Sequence, residues 1–243
     1  FNLLGRQMAI LLFPIFFALT NLNLKKYRYQ LISIFGFTCT AIIIYLYFDA
    51  FRTLHYFHLP LFSLFSSMFL NHNFSLPVQI HATYLAMFTA FSLLAFLYLL
   101  IKNEQYGNRW LYIFSSILLL AGLIQLSSRS VFTAFLVIAN FLLPYFLFTG
   151  RKRRTAFGIV IALSAIVLIT IYNIDAFKTR YVSEMKTDLT ENVTIVENTE
   201  PRFARWSAIF ELIARSPIIG YGTGAEKKLL QEKYFEKGLY NSY

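Results

Sequence analysis

Apolar residues run through this chain in long blocks separated by short polar joints, and the block lengths match helices that cross a bilayer. About twenty residues at 1.5 Å each span ~30 Å of hydrocarbon. The pattern predicts spans at about 3–20, 30–51, 78–101, 109–126, 130–149 and 155–174, with a kink at Pro14 in the first. The joint Ser127-Ser128-Arg129-Ser130 is too short to be more than a turn between two spans. Between Arg52 and Pro77 the aromatic-rich run 59–70 is too short to cross, so it is expected to lie in the interface or to re-enter.

After Ile174 the periodicity changes. A polar stretch reaches about Glu200, and then a short helix is predicted over 201–215, with Thr199 as N-cap and Pro201 in the first turn, where a missing N–H costs nothing. A glycine turn, Gly220-Tyr-Gly-Thr-Gly224, and a charged helix over 225–237 capped by Gly238 complete the chain. The expected fold is an all-α polytopic membrane protein: about six transmembrane helices in 1–174 and a long extracytoplasmic loop with short helices in 175–243. The chain opens on Phe1, inside an apolar run, and is expected to be part of a longer protein.

Composition agrees with this pattern: 57% of residues are hydrophobic and 14% charged. The formal net charge of +10 suggests a nucleic-acid surface until it is divided along the chain. From Asp175 onward ten basic residues balance ten acidic ones, so the excess lies earlier, where twelve basic residues face only Asp49 and Glu104. Those basic residues gather at 25–28, 102–109 and 151–154, in alternate connections, which the positive-inside rule assigns to the cytoplasm. The loop 175–243 then faces outward, and no nucleic-acid partner is expected. With Cys39 as the single cysteine, no intrachain disulfide can form.

Arg129 breaks the inside-positive pattern by standing at the outer end of two apolar helices, where a guanidinium is costly. It either binds a phosphate-bearing lipid head group, with hydroxyls of Ser127, Ser128 and Ser130 as further donors, or snorkels at the interface. Arg202 and Trp206, four residues apart, share a helical face with Arg205 beside them. Arginine forks suit phosphate or carboxylate, and Trp206 could stack on a sugar or on a guanidinium; the alternative is an amphipathic helix lying on the membrane. His81, at the outer end of the third span, is a substrate-binding candidate. His55, His58 and His72 lie near it, but their spacings match no metal motif, and no metal or other cofactor is expected. The glycine turn lacks the sixth-position glycine of a nucleotide fingerprint and follows a helix, so a tight turn is expected there.

Ser128-Arg129-Ser130 opening a span, Arg202-Phe-Ala-Arg-Trp206 in a long outward loop, and then Ser-Pro217-Ile-Ile-Gly220-Tyr-Gly222 together resemble the O-antigen ligase and O-antigen polymerase family of bacterial membrane glycosyltransferases. The stretch His81-Ala-Thr-Tyr-Leu-Ala86 is similar to a further family segment. The resemblance implies a GT-C-like helical fold in the bacterial inner membrane and an undecaprenyl-pyrophosphate-linked glycan as donor. It implies a lipid A core or glycan acceptor and inverting transfer on the periplasmic face without metal or nucleotide. Arginines at the positions of Arg129 and Arg202 would hold the pyrophosphate as it leaves. The family also carries a His-Asn pair after the outer loop, taken as the site of the general base; it is expected beyond Tyr243. A reading from another class, a non-catalytic lipid-glycan carrier such as a flippase or transporter, uses the same arginines only to hold an anionic lipid. Such a carrier should show polar or broken helices near mid-membrane.

Overall fold

The computed structural model describes residues 2–19, 24–103, 107–179, 181, 202–218, 220–222 and 225–239. Two compact units emerge, one of Phe1–Leu22 with Val182–Tyr243 and one of Asn23–Tyr181. Every regular element among the described residues is helical. The first helix, α1 (Asn2–Leu19), belongs to the former unit; it carries Pro14 in its interior and exposes Leu12, Phe13, Phe16 and Phe17.

The larger unit begins with α2 (Leu24–Tyr56), which at 33 residues outruns the predicted span 30–51. At 1.5 Å per residue it is about 50 Å long and overshoots the hydrocarbon at both ends. Lys25, Lys26 and Arg28 therefore lie inside its first turns instead of in a connection, and Arg52 lies inside its last turns, reaching back one turn to Asp49 at 3.0 Å. Then come α3 (His72–Ser75), α4 (Ala82–Lys102), α5 (Arg109–Leu126), α6 (Arg129–Val137), α7 (Leu143–Leu147), α8 (Gly150–Tyr172) and α9 (Asp175–Lys178). Among the described residues, Lys25–Tyr56, Ala82–Lys102, Arg109–Leu126 and Arg129–Leu147 are long and apolar enough to cross a membrane. Helices α1 and α8, of 18 and 23 residues, overlap 3–20 and 155–174, where two further spans are expected, and are not among these four.

Helices α2, α4 and α5 pack closely, and their contacts explain how helices associate where lipid removes the hydrophobic drive. Glycines supply the approach: a Cβ on Gly36 would stand 2.4 Å from the Phe96 ring, and one on Gly122 would stand 2.7 Å from Ile43. Phe37, Phe96 and Tyr112 form a cluster with ring centroids 4.9–5.1 Å apart. The buried Tyr112 hydroxyl donates to Ser33 Oγ at 2.9 Å, so the one polar tip in that cluster is satisfied.

The fifth span departs from the uninterrupted helix that its hydropathy predicts. Residues Ile138–Leu142 form a π-helical turn between α6 and α7. Asn140, buried in this turn, donates to Leu136 O at 2.9 Å and to Ser164 Oγ on α8 at 2.8 Å, while Ser164 Oγ donates back to Asn140 Oδ1 at 3.2 Å. A widened turn thus turns an amide toward α8, and the pair closes on itself with its main hydrogen-bonding groups used.

In the smaller unit, the helices Arg202–Arg215 and Glu226–Glu236 pack side by side. Glu211 of the first receives Lys237 and, at 3.1 Å, Lys233 of the second, and Lys233 also meets Glu236 at 2.9 Å. The second helix ends as the sequence predicts: Gly238 has φ +68°, its N–H bonds Phe235 O, and Leu239 N–H bonds Tyr234 O with the Leu239 side chain buried. Gly220 and Gly222 also take positive φ, 67° and 83°, forming the expected tight turn. Thr199, Pro201, Thr223 and Gly224 lie outside the described residues.

Candidate functional site

The corner between α5 and α6 takes two residues. Ser127 turns the chain in the left-handed region at φ +46°, and Ser128 is extended as the residue before α6. Arg129 is thereby the first residue of the helix and not, as its sequence neighbourhood predicts, part of a turn. Ser128 is buried but makes no side-chain capping bond, so the N–H groups of the first helical turn are not consumed by their own cap. Arg129 is half-buried with its Nη1 enclosed, Ser130 is exposed, and the buried Ser127 Oγ has no hydrogen-bond partner among the described residues. The corner thus sets a helix N-terminus, a guanidinium and a buried hydroxyl on three consecutive residues.

A residue that sequence reasoning passed over holds this corner. Gln125, 2% exposed, donates through Nε2 to Leu64 O at 2.8 Å and to Phe69 O at 2.6 Å. Its backbone carbonyl accepts from Asn71 N at 3.1 Å. The interfacial run 59–70 is therefore a folded cap: two 3-10 turns, Leu61–Phe65 and Ser67–Phe69, with Leu64, Phe69 and Leu70 buried and Leu61, Phe62 and Met68 exposed. A glutamine within an apolar run was the available signal, since burial of an amide in a membrane protein requires specific partners.

The cap also brings His81 to the same end of the unit. His72, one residue after Asn71, meets the His81 ring with centroids 4.1 Å apart, and Tyr84 stands 5.6 Å away on the other side. His81 is the N-cap of α4, its Nδ1 accepting from Thr83 N at 3.3 Å. His55 and His58 face one another at 6.5 Å. Among the described residues no three His, Cys, Asp or Glu side chains cluster as a metal site would need.

Beside Gln125 opens a cavity of about 800 Å³, walled by Tyr47, Phe48 and Phe51 of α2, Phe114 of α5, Ile166 and Val167 of α8, and Leu64, Phe65 and Phe177. Gln125 is the one amide among these aliphatic and aromatic walls. The remaining candidates lie in the smaller unit. Arg205 is half-buried and Trp206 exposed, its ring 6.5 Å from Phe210, while the Arg202 side chain lies outside the described residues.

Long apolar helices packed through glycine notches make this a multi-pass helical membrane protein. A family model described as O-antigen ligase matches residues 114–243, more than half of the chain, and the chain belongs to that family. The match contains Ser128, Arg129, Ser130, Arg202, Arg205 and Trp206, and leaves His81 outside it. Neither a curated protein nor a solved structure matches the chain. Membership carries an activity of the O-antigen ligase and polymerase type, with a lipid-linked glycan and an acceptor met in a membrane.

Proposed function

We propose that the protein is a glycosyltransferase that moves a glycan from undecaprenyl pyrophosphate to a lipid A core or glycan acceptor at the periplasmic face of the bacterial inner membrane. In this reading six helices cross the membrane in a GT-C-like arrangement and 175–243 lies outside. The observation that carries it is the apolar cavity of about 800 Å³ that has Gln125 in its wall, two residues before the Ser127–Arg129 corner in the chain. A polyprenyl tail fits the aromatic and aliphatic walls, and a pyrophosphate fits the helix terminus and guanidinium.

As the acceptor hydroxyl gives its proton to a general base and its oxygen displaces the pyrophosphate with inversion, negative charge accumulates on the leaving oxygens. Preorganised donors aimed there lower the barrier because they bind the departing charge more strongly than the ground state. Arg129 and Arg202 take this role, with no metal required; Ser128, Ser130, Arg205, Trp206 and His81 bind the head group and sugars. The lipid-glycan carrier keeps one observation in its favour, the broken fifth span. Asn140 and Ser164 there are engaged with one another, however, and leave little capacity for a cargo.

A transfer assay with lipid-linked donor tests the assignment in the membrane-embedded protein. Arg129→Lys, which keeps charge and loses the fork, should lose most turnover while the protein still inserts. Ala121→Trp, which fills the cavity, should raise KM for the donor. Near-normal transfer by both Arg129→Ala and Arg202→Ala would overturn the proposal and favour the carrier.

A further inference from the structure

The helix Arg202–Arg215 has two faces with different fates. At about 100° per residue, Ser207, Ala208 and Glu211 fall on one side, and these meet the neighbouring helix: Ala208 is buried, and Ser207 and Glu211 both accept from Lys237. Trp206, Phe210 and Ile213, spaced at four and three residues, fall on the opposite side and are 61%, 60% and 51% exposed. The ion pairs that fix the helices together therefore hold an apolar stripe outward.

A further exposed apolar residue follows the helix end. Ile218 is 94% exposed on a turn that is tied down on both sides, Ser216 Oγ donating to Gly220 O at 2.9 Å and Tyr221 Oη donating to Leu212 O at 3.2 Å. A large aliphatic side chain exposed on a braced turn, close in the chain to an exposed tryptophan and phenylalanine, is poor design for contact with water. Charge selects the occupant: residues 202–239 contain seven basic and four acidic side chains, and the internal pairing of Glu211 and Glu236 with Lys233 and Lys237 leaves that basic excess of three unchanged. Arg215, Lys227 and Lys228 are exposed.

We propose that this helix pair is a membrane-surface anchor, its Trp206-Phe210-Ile213 stripe and Ile218 tip seated in the headgroup layer of an anionic bilayer. Tryptophan prefers that depth, basic residues flanking an apolar face add attraction to anionic lipid, and the chain's own spans keep a bilayer at hand. The inference does not depend on which reaction the protein performs. Its consequence is that Arg202 and Arg205, on the same helix, are held at headgroup depth.

Two tryptophans occur, Trp110 and Trp206, so Trp110→Phe leaves Trp206 as the sole reporter. The membrane-embedded variant is placed in phosphatidylglycerol vesicles whose acyl chains are brominated either near the headgroup or near the chain end. Trp206 should emit to the blue and lose about half its intensity to the shallow bromines, less to the deep ones, with little quenching by aqueous iodide. In phosphatidylcholine alone the shallow quenching should fall. A second reporter, Ile218→Trp in the W110F/W206F background, should show the same depth. Absence of bromine quenching at both positions overturns the proposal: red emission open to iodide means a solvated stripe, and blue emission shielded from both quenchers means one covered by protein. Quenching indifferent to anionic lipid overturns the charge selection.

Discussion

Replacing Gln125 by leucine keeps the volume and helix propensity of α5 while removing one amide group. That amide satisfies two buried carbonyls, Leu64 O at 2.8 Å and Phe69 O at 2.6 Å, each from a different 3-10 turn of the cap. Each buried acceptor left without its donor costs about 1–3 kcal/mol, so the variant should weaken closure of the cap by about 2–6 kcal/mol. Since ~1.4 kcal/mol is tenfold in an equilibrium, even the low end raises the open population by more than about tenfold. Limited proteolysis of the protein in membranes reads this directly: cleavage within 57–80 should accelerate by at least about tenfold while cutting elsewhere in the chain stays unchanged. Because the cap also borders the cavity, donor KM should rise. An unchanged cleavage rate in 57–80 together with unchanged donor KM would refute the clamp and with it the account of how the corner is held.

Gly36→Ala forces a methyl to within 2.4 Å of a fully buried Phe96 ring, and overpacking of this kind should lower thermal stability in detergent by about 1–3 kcal/mol; an unchanged midpoint would show that α2 and α4 can separate freely. Tyr112→Phe should cost about 1 kcal/mol, and a double-mutant cycle with Ser33→Ala should recover most of it as coupling. The Lys237 and Lys233 hydrogen bonds hold the Glu211 carboxyl below the usual range, so the folded-state pKa is depressed. The ion-pair contribution is then present above the ordinary glutamate value of ~4.3 and lost as pH falls through the lower folded value. Protection from hydrogen exchange in 226–236, relative to the intrinsic rate at each pH, should fall below about pH 4, and Glu211→Gln should shrink that fall to the part that Glu236 carries.

Local pattern carried a large part of the architecture. Helix α5 occupies 109–126 as hydropathy predicts, since both its ends carry local signals: Asn108 caps one by accepting from Trp110 N, and Ser127 turns the other. Gly238 likewise announced its own cap. Span ends were less legible in α2, because helices continue past the hydrocarbon and polar residues such as Lys25 and Arg52 give no sign of where the backbone stops winding. The π turn was invisible because Asn140 finds its partner, Ser164, on another helix. Gln125 was missed for the same reason: its partners lie 56 and 61 residues earlier, and only the fold brings them together. Of the candidate site, Arg129 and His81 were legible as ionisable groups at span ends, whereas the unsatisfied Ser127 hydroxyl and the apolar cavity exist only in three dimensions.

The proposal that Arg129 and Arg202 each serve the leaving pyrophosphate is tested most directly by a double-mutant cycle on turnover. Arg129→Ala and Arg202→Ala should each lower kcat/KM by about 10²–10³, the cost of one preorganised donor. Groups that serve the same transition-state charge are strongly non-additive. The double variant should therefore fall well short of the product of the two single losses, remaining within about tenfold of the worse single variant. Multiplication of the two effects would place the arginines at independent sites and contradict the account.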